Sequence, residues 1–190
     1  MAQMKTPGVY IIEKNAFPNS VVEVATAIPA FIGHTQFARD GNKDLTGIPF
    51  RISSMAEFHS FFGFAPTLRF GIRPEDSESE DTTNDINVLF PDGSCQLTLP
   101  KTFYALYYNM LLFYANGGGP CYIVSVGDYE HDFKSIDFTN ALLALKKEQE
   151  PTLVVVPEAV YMEEGDCYKV QTAALMHCGN DMKNRFAILD

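Results

Sequence analysis

Asp128, Glu130, His131 and Asp132 crowd one short stretch of the chain, and carboxylates beside an imidazole are the ligand types that hold a hard divalent cation. Neighbouring loop residues diverge, however, and a polar loop with Asp caps accounts for the same run. A second acidic stretch, with Glu75, Asp76, Glu78, Glu80, Asp81 and Asp85, lacks the spacing and central glycine of a calcium-binding EF-hand loop. His177 and Cys178 set a base beside a thiol, but adjacent helical residues point about 100° apart and do not form a nucleophile–base pair. Cys167 and Cys178 read instead as small packed hydrophobes. Gly117–Gly119 is the one glycine cluster; it follows a helical stretch and precedes a strand, the reverse of a phosphate-binding loop. The turns after the candidate strands are acidic, Gly127–Asp132 and Pro157–Glu158, and would repel phosphate. His34 and His59 have no partner close in sequence, and no G-x-S-x-G, H-E-x-x-H or Walker motif occurs. The expectation is a protein without catalytic, cofactor-binding or metal-binding residues.

The elements that would position such groups are these. Pro7-Gly8 precedes Val9-Tyr10-Ile11-Ile12-Glu13, a branched and aromatic run suited to a strand. A short terminal strand cannot stand alone, so it pairs either within its own sheet or with a neighbour's sheet edge. Residues 1–19 are expected to be an extended arm. Val21–Ala25 and Ala30–His34 read as strands. Ser54 opens a short helix as a capping box with Glu57, and Gly63 closes it. Pro66–Asp85 reads as an exposed, mobile acidic loop. Ile86–Phe90 and Cys95–Leu99 flank Pro91-Asp92-Gly93-Ser94, a hairpin with a four-residue turn. Thr102 can cap a helix from Phe103 to Asn116 that is apolar all round and so buried, either in a core or between subunits. From residue 121 strands and helices alternate: strand 121–126, an Asp137-capped helix 138–149, strand 152–156, a helix from about 165 to 178, and strand 186–189. That βαβαβ order predicts a parallel or mixed sheet. The expected fold class is α/β: an extended N-terminal β-arm, a small strand-and-helix region, and a βαβαβ core within a 20–190 domain. The last strand ends at Asp190, where another helix is due, so the 121–190 unit is expected to be incomplete and the natural chain to continue.

Composition bounds the partners. The formal net charge of −10 offers no basic stripe for phosphate backbones or anionic membranes, so neither nucleic acid nor direct membrane insertion is expected. The longest apolar stretch, residues 103–115, falls short of the roughly 20 residues a membrane helix needs. No leader pattern opens the chain, and the four cysteines form no C-x-x-C pair; synthesis and folding in the cytosol are expected. Aromatics reach 13%, with 15 Phe and 9 Tyr but no Trp, enough for a large core with apolar surface left over for subunit contacts.

Four stretches in order resemble contractile tail-sheath proteins of phage tails, R-type bacteriocins and extracellular contractile injection systems. They are Thr6-Pro-Gly-Val-Tyr-Ile-Ile-Glu13; Ala30-Phe-Ile-Gly-His-Thr35; Ile52 to Gly63, with its Ser-x-x-Glu-Phe helix and Phe-Gly ending; and Phe113 to Val126, spanning Ala-Asn-Gly-Gly-Gly-Pro-Cys-Tyr-Ile-Val. Arg185-Phe-Ala-Ile-Leu-Asp190 is also similar. The resemblance implies a structural subunit, not an enzyme. Such subunits, made in the bacterial cytoplasm, polymerise helically around an inner tube and contract to drive that tube through a target envelope. It implies neighbouring sheath subunits, the tube protein, and baseplate and cap proteins as partners, in a phage tail or phage-tail-like particle. It assigns Val9, Tyr10, Ile11, Ile12 and Glu13 as the strand donated to a neighbouring subunit. The acidic 66–85 segment matches no feature of the family. Two rival readings are a small α/β enzyme or nucleotide-binding module, with a concave site at the ends of strands 121–126 and 152–156, and a baseplate or tail-terminator subunit with a sheath-like fold.

Overall fold

The computed structural model of the chain describes residues 27–68, 70–74, 85–90, 93–98 and 102–189. The Val9–Glu13 arm, the Val21–Ala25 strand and the acidic residues 75–84 lie outside the described residues. The architecture is mixed α/β. Ten strands are described: β1 (Pro29–Gly33), β2 (Arg39–Asp40), β3 (Lys43–Asp44), β4 (Phe50–Ile52), β5 (Gly71–Pro74), β6 (Asp85–Phe90), β7 (Gly93–Thr98), β8 (Cys121–Ser125), β9 (Leu153–Val155) and β10 (Phe186–Ile188). The α-helices are α1 (Met55–Phe62), α2 (Leu106–Ala115), α3 (Ser135–Leu145) and α4 (Glu164–Met176), and a π-helical turn, His177–Met182, follows α4.

Five strands form the central sheet in the order β10-β9-β1-β8-β4. β1 pairs in parallel with β8 on one side and β9 on the other, β9 pairs in parallel with β10, and β4 runs antiparallel to β8 at the edge. All five residues of β1 and of β8 are buried, as the near-continuous apolar runs of two-faced parallel strands require. Alternation along β1 feeds two cores. Ala30 and Ile32 join Phe138, Leu142, Leu145, Val170 and Ala174 beneath α3 and α4. Phe31 joins Phe58, Phe62, Leu106 and Met110 beneath α1 and α2.

The helix opened by Ser54 forms as expected. Ser54 Oγ accepts the Glu57 N–H at 3.2 Å, while Glu57 Oε2 accepts from the N–H and hydroxyl of Ser53, one residue earlier than in the usual box. Gly63 closes the helix at φ +85, a conformation that strains any residue with a Cβ.

Other expectations are corrected. The 66–85 segment is not wholly loop, because β5 lies inside it and pairs antiparallel with β7. In the hairpin the ladder runs on until Phe90 faces Gly93, which leaves room for a two-residue connection instead of a four-residue turn. α2 starts at Leu106 after Ala105, without a side-chain cap from Thr102. Within the single chain its burial in the core is not complete: Leu111 and Leu112 face outward, Leu112 at 65% exposure, which leaves contact between subunits as the other expected cover. α3 starts at Ser135, so Asp137 sits in its first turn and is not its cap. α3 ends at Leu145 because the next three amides bond three residues back, a tighter winding than the α-helix. The βαβαβ run is present, but β8 and β9 are not neighbours, since β1 lies between them.

Candidate functional site

The strand order changes direction beside β1: the chain reaches β8 on one side, then crosses to β9 and β10 on the other. At such a switch point the strand C-termini of α/β proteins open a crevice where ligands bind. Here protein fills the β1–β9 side of that position. His34, just past β1, and Glu158, just past β9, are 1% and 0% exposed. Glu158 Oε2 accepts the His34 backbone N–H at 2.9 Å and its Nδ1–H at 2.8 Å. The other carboxylate oxygen accepts the Leu106 N–H at 3.4 Å. One carboxylate therefore ties together β1, β9 and the first turn of α2, and supplies the anion that a helix N-terminus favours. The cap that Thr102 was expected to provide comes from Glu158, 52 residues beyond Leu106.

Gly33 makes the approach possible. A Cβ there would stand 2.9 Å from Leu106 Cβ and 3.1 Å from the Glu158 carboxylate. Next to it, Thr35 and Ser125 hydroxyls meet at 2.7 Å. Tyr104, Phe133 and Phe138 surround the His34 ring at centroid distances of 5.3, 5.1 and 5.7 Å. With its carboxylate and imidazole out of contact with water, the pair works as a latch between the strand ends.

Beyond β8 a cleft of about 520 Å³ remains, lined by Asp44, Ser125, Asp128, His131, Lys134 and Asp137 among others. Asp128 accepts the Glu130 N–H at 2.9 Å and bonds His131 Nδ1 at 2.6 Å. The Glu130 amide first, then His131, hold the Asp128 carboxyl below its usual range. Of the four loop residues picked out in the sequence, the structure thus joins Asp128 and His131. Among the described residues no group of three or more His, Cys, Asp or Glu side chains is placed to hold a metal ion.

His177 and Cys178 are both buried and do not act on each other. His177 Nε2 accepts from Arg185 Nη1 at 3.0 Å. Burial raises the Cys178 pKa, and burial pushes the Cys121 thiol up to about 11, so neither offers a thiolate near neutrality. Arg185 itself is 4% exposed and donates to the carbonyls of Leu145 and Glu148, closing the C-terminal end of α3. His59, without a partner in the sequence reading, bonds the Tyr107 hydroxyl at 3.1 Å. In the glycine cluster, Gly117 and Gly118 donate to the Tyr114 and Phe113 carbonyls, and Gly117 takes φ +83, which makes the cluster a helix C-cap.

The fold is that of a mixed α/β domain in which the His34–Glu158 pair fills the β1–β9 side of the switch point, while a cleft stays open at the ends of β1 and β8. Neither the known protein-family models nor the curated proteins include a match to this chain. Among the described residues no helix is long and apolar enough to cross a membrane.

Proposed function

We propose that the chain is the N-terminal part of a contractile tail-sheath subunit, which polymerises around an inner tube with mechanical work, not catalysis, as its task. The observation that carries this reading is the amount of apolar side chain left facing water. Ile136 and Leu143 on α3, Tyr168, Leu175 and Met176 on α4, and Phe186 and Ile188 on the edge strand β10 are all exposed. Apolar faces of this kind mark contact surfaces. A second support is that stretches resembling sheath proteins occupy fold-determining positions: Gly33 and His34 at the latch, Ser54 and Gly63 at the ends of α1, and Gly117 and Gly118 at the end of α2. Val9–Glu13 is the proposed strand donor to a neighbouring subunit, through backbone pairing. Such head-to-tail contacts build open helical assemblies. The tube, baseplate and cap proteins are the further proposed partners, in a phage tail or related particle.

Negative-stain electron microscopy of the chain with and without residues 1–14 tests the reading. Tubes or striated filaments that vanish on deletion, with a core that stays folded, are the expected result. Monodisperse single particles in both samples would overturn it; closed rings would favour a baseplate or terminator subunit. The cleft beyond β8 favours a second reading, a small α/β enzyme or binding module. Thermal stabilisation by a nucleotide or divalent cation would support that alternative.

A further inference from the structure

Asn116 is the only asparagine of the chain that is followed by glycine. The peptide nitrogen after an asparagine can attack the side-chain amide carbon, and a glycine there, having no Cβ, hinders the attack least. The fold explains why glycine stands at that place. α2 ends in a complete Schellman motif: the Gly117 N–H donates to the Tyr114 carbonyl at 3.1 Å and the Gly118 N–H to the Phe113 carbonyl at 2.9 Å. Gly117 takes φ +83, which strains any residue with a Cβ. Gly118 is fixed by packing, because a Cβ there would meet the Phe113 ring at 2.5 Å. That ring rests in turn on Phe31, at a centroid distance of 5.3 Å, in the core beneath α2. The helix end thus demands two glycines, and the first of them makes Asn116 reactive.

The same motif restrains the reaction. Asn116 has φ −94 and ψ +18, and its Nδ2 donates to the Leu112 carbonyl at 2.7 Å, which ties the amide carbon to the preceding turn. The attacking nitrogen is tied through its bond to Tyr114. For the two to meet, ψ must swing away from +18 and both hydrogen bonds must break, which unwinds the last turn of α2. Asn116 and Gly117 are exposed, so water reaches them. We propose that Asn116 is a site of spontaneous modification gated by the end of α2. The Gly117 nitrogen loses its proton and bonds to Asn116 Cγ as ammonia leaves. Water then opens the cyclic imide at one carbonyl or the other, giving aspartate or isoaspartate. Either product removes the donor to Leu112 and puts a carboxylate at the negative end of a helix whose last turn has no basic residue. Isoaspartate also lengthens the backbone by a methylene, which breaks the register of the two glycine bonds. Modification therefore leaves the end of α2 frayed. This does not depend on the sheath reading.

Incubation of the full chain at pH 8, with conversion at residue 116 followed by peptide mapping and mass spectrometry, tests the inference. Conversion in the native chain is expected to be at least about tenfold slower than in urea, since it must await local opening. Hydrogen exchange of the Gly117 amide is expected to show parallel protection. Gly118→Ala, which drives a methyl group into the Phe113 ring, is expected to raise the native rate about threefold or more, whereas Gly119→Ala, with open space around it, leaves the rate unchanged. Circular dichroism establishes that both variants fold. Should Gly118→Ala not fold, the match between conversion and Gly117 exchange in the unsubstituted chain at low urea concentrations decides instead. No conversion of Asn116 in urea would overturn the site. Equal rates in the native and unfolded chain, or a native rate that does not follow Gly117 exchange, would overturn the gate.

Discussion

Replacing Glu158 by alanine removes the acceptor from three donors at once: the backbone N–H and Nδ1–H of His34 and the N–H of Leu106. Each buried donor left without a partner costs about 1–3 kcal/mol. The Leu106 contact, at 3.4 Å, belongs at the lower end. Truncation also opens a small cavity, and removing one member of a buried pair costs about 3–5 kcal/mol in general. A loss of about 4 kcal/mol is expected, a large share of the roughly 5–15 kcal/mol that holds a domain folded. Glu158→Gln keeps the acceptor for Leu106 but turns an amide N–H₂ toward the two His34 donors; its expected cost is about 2–3 kcal/mol. Urea unfolding at pH 7, followed by far-ultraviolet circular dichroism because the chain has no tryptophan, measures both. His34→Ala completes a double-mutant cycle in which the double variant loses less than the sum of the singles by more than about 1 kcal/mol. A cost under about 1 kcal/mol for Glu158→Ala, or strict additivity with His34→Ala, would refute the latch.

Three further outcomes follow from the same geometry. Burial first, then Arg185 and Lys146, outweigh Asp181 and push the His177 pKa down to about 4 from 6.5. Between those values the unfolded chain binds a proton that the folded chain does not, so stability falls as pH drops through the window, by about 2 kcal/mol near pH 5 and about 3 kcal/mol near pH 4. His177→Gln, which retains an acceptor for Arg185, should flatten that part of the stability–pH curve. Gly33→Ala should cost about 1–3 kcal/mol through its clash with Leu106, whereas Gly165→Ala, inside α4 with open space around it, should stabilise by about 0.5–1 kcal/mol; thermal melts of both variants check the opposite signs. Cys121, fully buried, should resist iodoacetamide at pH 8 in the native chain and react promptly in urea, as read by mass spectrometry.

Local signals carried much of the fold into view. The Ser54–Gly63 helix was legible because its caps lie within ten residues, and β1, β8, β9 and β10 because branched apolar runs sit between turn residues. The β2–β3 hairpin was not, since its two-residue strands leave almost no pattern, nor was β4, whose three residues are split by Arg51 and form no apolar run. The insertion of β1 between β8 and β9 is decided by tertiary packing, which neither segment encodes by itself. The candidate site was the least legible part. His34 finds its partner 124 residues away, and α2 takes its cap from Glu158, so a reading confined to near neighbours saw an unpaired histidine and an ordinary acidic turn. The Asp128–His131 loop shows the opposite case: its composition was conspicuous, but only two of its four candidate side chains meet.

The place of β1 at the centre of the sheet sets a problem in time. Its two partners, residues 121–125 and 153–155, are made long after it. At about 5–20 residues per second, the ribosome adds the last of them roughly 6–24 seconds after Gly33. For roughly the first 5–18 seconds, until residues 121–125 are made, Pro29-Ala-Phe-Ile-Gly33 has neither ladder partner, and its other edge stays open until residues 153–155 follow. Contacts spanning such distances also fold slowly once available. The strand that ends up most deeply buried is thus the one that nascent-chain chaperones, or neighbouring unfinished copies, meet first.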